Sequence, residues 1–305
     1  MMLRSCLFLA AGLLTSSALA QPGANNSNSV NSCLIRANAT PTSWMIQGYD
    51  PFGGSIPEGT FGITFVNEGS SECVFTPAFE LVQPPFGLST GTGRPVGYAL
   101  LSMTDSQDVT PRAGRSPRTP SQRPLELSPN GSRTLLYKLV ADPDSIGEAG
   151  TFTQNVTVEA RDNQFRSLGG TQLVLGINVL PSARIGLAGA YTMDKGHAVV
   201  DLGELRQGVA AVPLQLRVNS TGSYELTVAS ANAGRLRLGA TDWYVPYTMA
   251  IGGISVNLAG VRTVAGPSSN GLRRDALPIQ FQIGDISDRR AGIYNDVISI
   301  TVTAR

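Results

Sequence analysis

The sequence predicts an all-β chain built from two tandem sandwiches, and three observations carry that expectation. Short segments with period-2 alternation recur between clusters of Gly, Pro, Asn and Ser, the pattern of sandwich strands. No long stretch shows the helical period. Fragments of the first half also recur in order in the second, about 150 residues later: Phe65-Val66-Asn67 parallels Arg217-Val218-Asn219, and Val96-Gly97-Tyr98-Ala99-Leu100 parallels Val245-Pro246-Tyr247-Thr248-Met249. The ends of the halves match too, GTFTQNVTVEAR (150–161) against GIYNDVISITVTAR (292–305). The reading is a duplication with its boundary near Pro181, giving domains at 32–180 and 181–305.

Each element follows from its alternation. GTFGITFV (59–66), SYELTVAS (223–230) and GISVNL (253–258) are strand candidates. In VPLQLRV (212–218), Val212, Leu214, Leu216 and Val218 face inward. In LPIQFQI (277–283), Leu277, Ile279, Phe281 and Ile283 do the same. In 150–161 the inward residues are Phe152, Val156, Val158 and Ala160. TQLVLGINVL (171–180) follows, with Leu173, Leu175, Ile177 and Val179 in one row. In the terminal segment Tyr294, Ile298, Ile300 and Val302 are read as one face, and no strand follows before Arg305. The second sandwich is therefore expected to lack its last strand. It would present an unpaired edge and an apolar cleft that a strand from another chain fills.

The N-terminus reads as a secretory signal peptide, with Arg4, an apolar run and Ala18-Leu19-Ala20 ahead of Gln21. Residues 1–20 are expected to be removed, leaving a polar flexible tail at 21–31. Export to the periplasm and then the cell surface follows. Of 23 basic residues only Arg4 leaves with the leader, so 22 basic face 22 acidic residues, a balance that argues against nucleic-acid binding. Cys6 leaves as well, and Cys33 and Cys73 remain as a candidate disulfide in an oxidising compartment.

Candidate chemistry is sparse. His197 is the single histidine and has no neighbour with which to share a metal; Asp194 and Asp201 beside it read as turn residues. No nucleophile elbow, phosphate loop or calcium loop is present, and Asp285-Ile286-Ser287-Asp288 lacks the flanking pattern of the last. No catalytic, cofactor-binding or metal residues are expected. Arg112, Arg115, Arg118 and Arg123 lie in a Pro/Ser/Arg-rich loop (104–124) that reads either as solvated or as a contact for an anionic polymer. Pro84, Pro85, Phe86 and Leu88 form a stiff apolar segment that reads either as a surface-contact loop or as a core-facing turn.

The layout resembles the spore coat protein U domain family, which includes the pilins of archaic chaperone–usher pili. The residues that carry the resemblance are Ser32-Cys33-Leu34, Gly48-Tyr49-Asp50-Pro51, Gly59-Thr60-Phe61-Gly62-Ile63, Glu72-Cys73, Gly150-Thr151-Phe152 and the terminal run Gly292 to Val302, with its G-x-Y-x-D opening. The resemblance implies incomplete immunoglobulin-like sandwiches. It also implies a periplasmic chaperone that lends a strand, an outer-membrane usher, and an adjacent pilin whose N-terminal arm completes the fold. Two domains, and a tail without alternating apolar anchors, fit a subunit that receives a strand and does not donate one. In that family this is a two-domain tip adhesin, here with an unknown surface target. The second domain departs from the pattern in lacking paired cysteines. The alternatives are a free-standing secreted envelope protein of the coat type and a periplasmic carbohydrate-binding module or hydrolase.

Overall fold

The computed structural model describes residues 33–91, 93–117, 123–266 and 271–305. The expected leader and tail lie outside them. The described chain is almost entirely β, with one 3-10 turn at Pro143–Ser145. No described helix is long and apolar enough to cross a membrane.

The first half contains β1 (Ile35–Ala39), β2 (Ser43–Tyr49), β3 (Glu58–Asn67), β4 (Cys73–Leu81), β5 (Tyr98–Ser102), β6 (Leu125–Leu127), β7 (Ser132–Ala141), β8 (Gly150–Arg161) and β9 (Ser167–Val179). The second contains β10 (Ala183–Gly189), β11 (Thr192–Asp194), β12 (His197–Val199), β13 (Gly208–Val209), β14 (Leu214–Ser220), β15 (Tyr224–Ser230), β16 (Arg235–Leu238), β17 (Tyr244–Ile251), β18 (Ile254–Val256), β19 (Arg262–Ala265), β20 (Arg273–Ile283), β21 (Tyr294–Asn295) and β22 (Ile298–Ala304).

In the first half a sheet of order β1-β3-β7-β5 faces a sheet of order β2-β9-β8-β4-β6. Alternation places one row of each strand between the sheets. The core holds Trp44, Phe65, Phe75, Phe79 and Tyr137, with Trp44 stacked on Phe61 at 5.2 Å between ring centroids. Gly169 on β9 lies against the backbone of Ile35 on β1, where a Cβ would collide with the Ile35 carbonyl. That missing side chain lets the closing strand press onto the opposite sheet. Cys33 and Cys73 are disulfide-bonded with Cα atoms 5.2 Å apart, joining the residues ahead of β1 to the first residue of β4. The bond thus ties one sheet to the other.

The second half repeats this plan. Its large sheet follows β10-β14-β20-β17-β16-β21, and its small sheet follows β19-β15-β22. The order β1-β3-β7-β5 corresponds to β10-β14-β20-β17, and β8-β4-β6 corresponds to β22-β15-β19. The second core gathers Leu214, Leu216, Val218, Tyr224, Leu226, Val228, Met249 and Phe281. The sequence match in β3 and β14 is offset by one residue. Asn67 pairs with Ile35 at the start of β1, and its buried counterpart is Ser220, which pairs with Ala183 at the start of β10. Asn219 points outward. Strand period makes the one-residue distinction decisive, because a slip of one exchanges the faces.

Candidate functional site

The terminal segment is built in two pieces. Tyr294 on β21 pairs with Leu238 of the large sheet, whereas Ile298 on β22 pairs with Ser230 of the small sheet. The expectation that Tyr294 shares one strand edge with Ile298, Ile300 and Val302 is therefore corrected, since the chain changes sheets between them. Asp296 sits at the change. Its Oδ1 accepts from the backbone N–H groups of Asn232 (2.9 Å) and Val297 (2.8 Å). Its Oδ2 accepts from the hydroxyls of Ser230 (2.5 Å) and Tyr247 (2.6 Å). Burial, and then the hydrogen bond to Asp296, push the Tyr247 phenol well above its usual range. Four donors converge on one carboxylate, which is the arrangement of a structural anchor.

β22 hangs on β15 through seven consecutive register pairs, Ile298↔Ser230 to Val302↔Leu226 and on to Ala304↔Tyr224. Among the described residues no strand pairs with its other side. Ile298, Ile300 and Val302 all point to the core face, yet each is only half-buried. Ile185 and Leu187 on β10, the facing edge of the large sheet, are half-buried in the same way. The result is one open side of the sandwich with an apolar lining and a backbone edge beside it. At one end the sheets are tied by the Tyr224 hydroxyl, which donates to Asp275 Oδ2 at 2.8 Å. The Arg273 guanidinium, 3.1 Å from that carboxylate, holds Asp275 below the usual carboxylate range. Burial, with Asp275 as the next cause, pushes the Tyr224 phenol up to about 12.

The stiff apolar segment of the first half points elsewhere. Pro84 and Pro85 are exposed, but Leu88 is fully buried and pairs with Val96. Phe86 lies 4.7 Å from the Tyr98 ring, packed against the core. The surface-contact assignment of Phe86 and Leu88 is thus corrected in favour of the core-facing turn. The cause is Gln154, a buried amide on the core face of β8. It accepts from Gly87 N–H (3.0 Å) and donates to the Pro85 carbonyl (2.8 Å), drawing the segment inward.

The arginines of 104–124 divide. Arg112 pairs with Asp108, and Arg115 pairs with Glu80, which also receives Arg161 at 2.6 Å. Arg118 lies outside the described residues. Arg123 makes no ion pair with a described residue and borders a cleft. His197 is exposed at a two-residue hairpin, opposite Asp194. Asp201 and Asp285 accept the N–H groups of Gly203 and Ser287, both two residues ahead, as turn carboxylates do. Among the described residues no group of three His, Cys, Asp or Glu gathers in metal-ligating fashion.

No family model matches the chain, and no curated protein matches it. Among solved structures, it is similar to the crystal structure of the CsuC-CsuE chaperone–tip adhesion subunit pre-assembly complex from archaic chaperone-usher Csu pili of Acinetobacter baumannii. Identity there is 13% with a TM-score of 0.44, over 88% of this chain and 99% of that chain. It is also similar to the CupB6 tip adhesin from Pseudomonas aeruginosa (10% identity, TM-score 0.35, 89% of this chain and 94% of that chain). A third similar structure is CfaE, the adhesive subunit of CFA/I fimbria of enterotoxigenic Escherichia coli (12% identity, TM-score 0.34, 86% of this chain and 92% of that chain).

Proposed function

We propose that the protein is a non-enzymatic, exported surface protein, the tip-adhesin type of subunit in a chaperone–usher pilus. Its second domain, 181–305, is completed by a strand from another polypeptide. One observation carries this reading: β8 is covered by β9, whereas its counterpart β22 has a half-exposed apolar row and an edge that no described strand pairs with. A strand entering beside β22 gains main-chain hydrogen bonds along that edge. Its alternate apolar side chains then cover Ile298, Ile300 and Val302. In the periplasm the strand comes from a chaperone; in the assembled fibre it comes from the adjacent pilin, delivered at the outer-membrane usher. The first domain, which owns its closing strand, presents the adhesive surface.

The test uses residues 181–305 with and without an alternating apolar strand fused after Arg305. The fragment alone is expected to aggregate or be degraded, and the fused form to be soluble with a cooperative melt. A stable monomeric fragment without any added strand would defeat the reading. Co-purification of the full-length chain with a periplasmic chaperone, lost when Ile300 is replaced by Asp, is the matching result in cells.

A further inference from the structure

On the side of the first sandwich away from β9, the two sheets end in the edge strands β5 and β6. Between them opens a cleft of about 530 Å³. Pro77 on β4, Leu125 on β6 and Leu135 on β7 form its apolar floor. The guanidinium groups of Arg123 and Arg133 stand at its rim, both exposed, and neither makes an ion pair with a described residue. The turn after β5 adds the Asp105 carboxylate and the Gln107 amide. That turn is held in place by Ser102 N–H donating to the Gln107 carbonyl (2.8 Å) and Met103 N–H donating to the Leu136 carbonyl (2.9 Å). Tyr137 also lines the cleft. It is 2% exposed, and its hydroxyl makes no hydrogen bond to a described residue. Burial, and then the charge of Asp105, push its phenol above the usual range, so it stays a neutral donor at every physiological pH.

We propose that this cleft binds a carboxylated sugar residue of a surface polysaccharide. It deepens the adhesive reading above and names the chemistry of the target. The two guanidinium forks, neither in an ion pair with a described residue, match a carboxylate, which they engage in paired hydrogen bonds. Asp105 and Gln107 accept from vicinal hydroxyls, and Tyr137 donates to a ring or hydroxyl oxygen. Leu125 and Pro77 lie under the C–H face of the sugar. A bare phosphate or sulfate has no use for an acceptor carboxylate on the rim, and an apolar ligand would strand both arginines. The volume is that of a small-ligand cleft.

Titration calorimetry on the full-length chain carrying an alternating apolar strand fused after Arg305 tests the assignment, with methyl glucuronoside and N-acetylneuraminate as carboxylated probes and methyl glucoside and inorganic phosphate as controls. At least one carboxylated probe is expected to bind saturably, with the neutral glucoside weaker by about tenfold or more, the scale of one lost charge-assisted hydrogen bond. Arg123→Ala and Arg133→Ala are each expected to weaken it by a similar factor with the melting temperature unchanged. Arg133→Lys keeps the charge, loses the fork, and is expected to recover only part of the affinity. Failure of both carboxylated probes, phosphate binding as tightly as they do, or insensitivity to both alanine variants would overturn the proposal. The strand-fusion experiment reads the other half of the chain, so either result can fail while the other stands.

Discussion

β8 and β22 are the same strand in two settings, and the setting decides how much core each one makes. β8 runs between β4 and β9, and its inward row of Phe152, Gln154, Val156, Val158 and Ala160 is buried throughout. Among the described residues β22 runs beside β15 alone, and its inward row never passes half-burial. The β22 face is wholly apolar, whereas that of β8 includes Gln154, so the difference in burial lies in the surroundings and not in the strand. Edge position alone does not leave a row open, since β1 is an edge strand beside β3 and still buries Ile35, Ala37 and Ala39 under the opposite sheet; β22 lacks that cover as well as a second neighbour among the described residues.

The largest test of that contrast removes the neighbour from the complete half. A chain ending near Arg161 lacks β9, whose Leu173, Leu175, Ile177 and Val179 are all buried. Each contributes roughly 1.5–3 kcal/mol, and together they rival the whole stability of a domain. A fragment of residues 21–180 is expected to fold cooperatively and one of residues 21–161 to remain unfolded by circular dichroism. Equal melts would show that β9 is dispensable.

A finer test compares single residues in equivalent roles. Leu175→Ala should cost about 2–5 kcal/mol, the range for a fully enclosed site. Ile300, only half-buried by its own chain, would alone warrant about 1 kcal/mol or less; with a strand fused after Arg305, Ile300→Ala should rise toward the Leu175 value. Denaturant melts of the fused chain measure both, and an Ile300 cost that stays at about 1 kcal/mol would mean that the strand does not cover it.

Reduction of the Cys33–Cys73 bond separates the halves again. The bond closes 40 residues within the first half, and its loss should cost that half about 3–4 kcal/mol on the chain-entropy account. The second half holds no cysteine and, in a chain carrying a strand fused after Arg305, should melt unchanged in reductant. A shift in both transitions would reveal coupling between the domains.

The smallest effect is a pH dependence. Asp275 has a depressed folded-state pKa, caused first by the Arg273 hydrogen bond. Its contribution is therefore present above the unfolded carboxylate value and is lost as pH falls through the folded one, in the window below about pH 4. In a chain carrying a strand fused after Arg305, Asp275→Asn should flatten the acid limb of the second-half transition while leaving that of the first unchanged.

Much of this architecture was legible in the residues. Alternation alone placed Phe152, Val156, Val158 and Ala160 on β8 and Leu214, Leu216 and Val218 on β14, because a period of two leaves only one way to bury a half-apolar strand. Cys33 and Cys73, the two cysteines beyond the expected leader, pointed to their own bond. Other features were decided only in three dimensions. Gln154 is polar, and nothing local says that it turns inward to hold Gly87 and Pro85 and so pulls Phe86 and Leu88 into the core. Tyr294 continues the alternation of Ile298 but pairs with another sheet, since the change depends on Ser230 and Tyr247 meeting Asp296 across more than 45 positions of sequence. Arg123 and Arg133 come to one cleft from either side of β6. Pattern along a chain reports which face a residue prefers; which partner meets that face is set by strand order, and strand order is a property of the closed sheets.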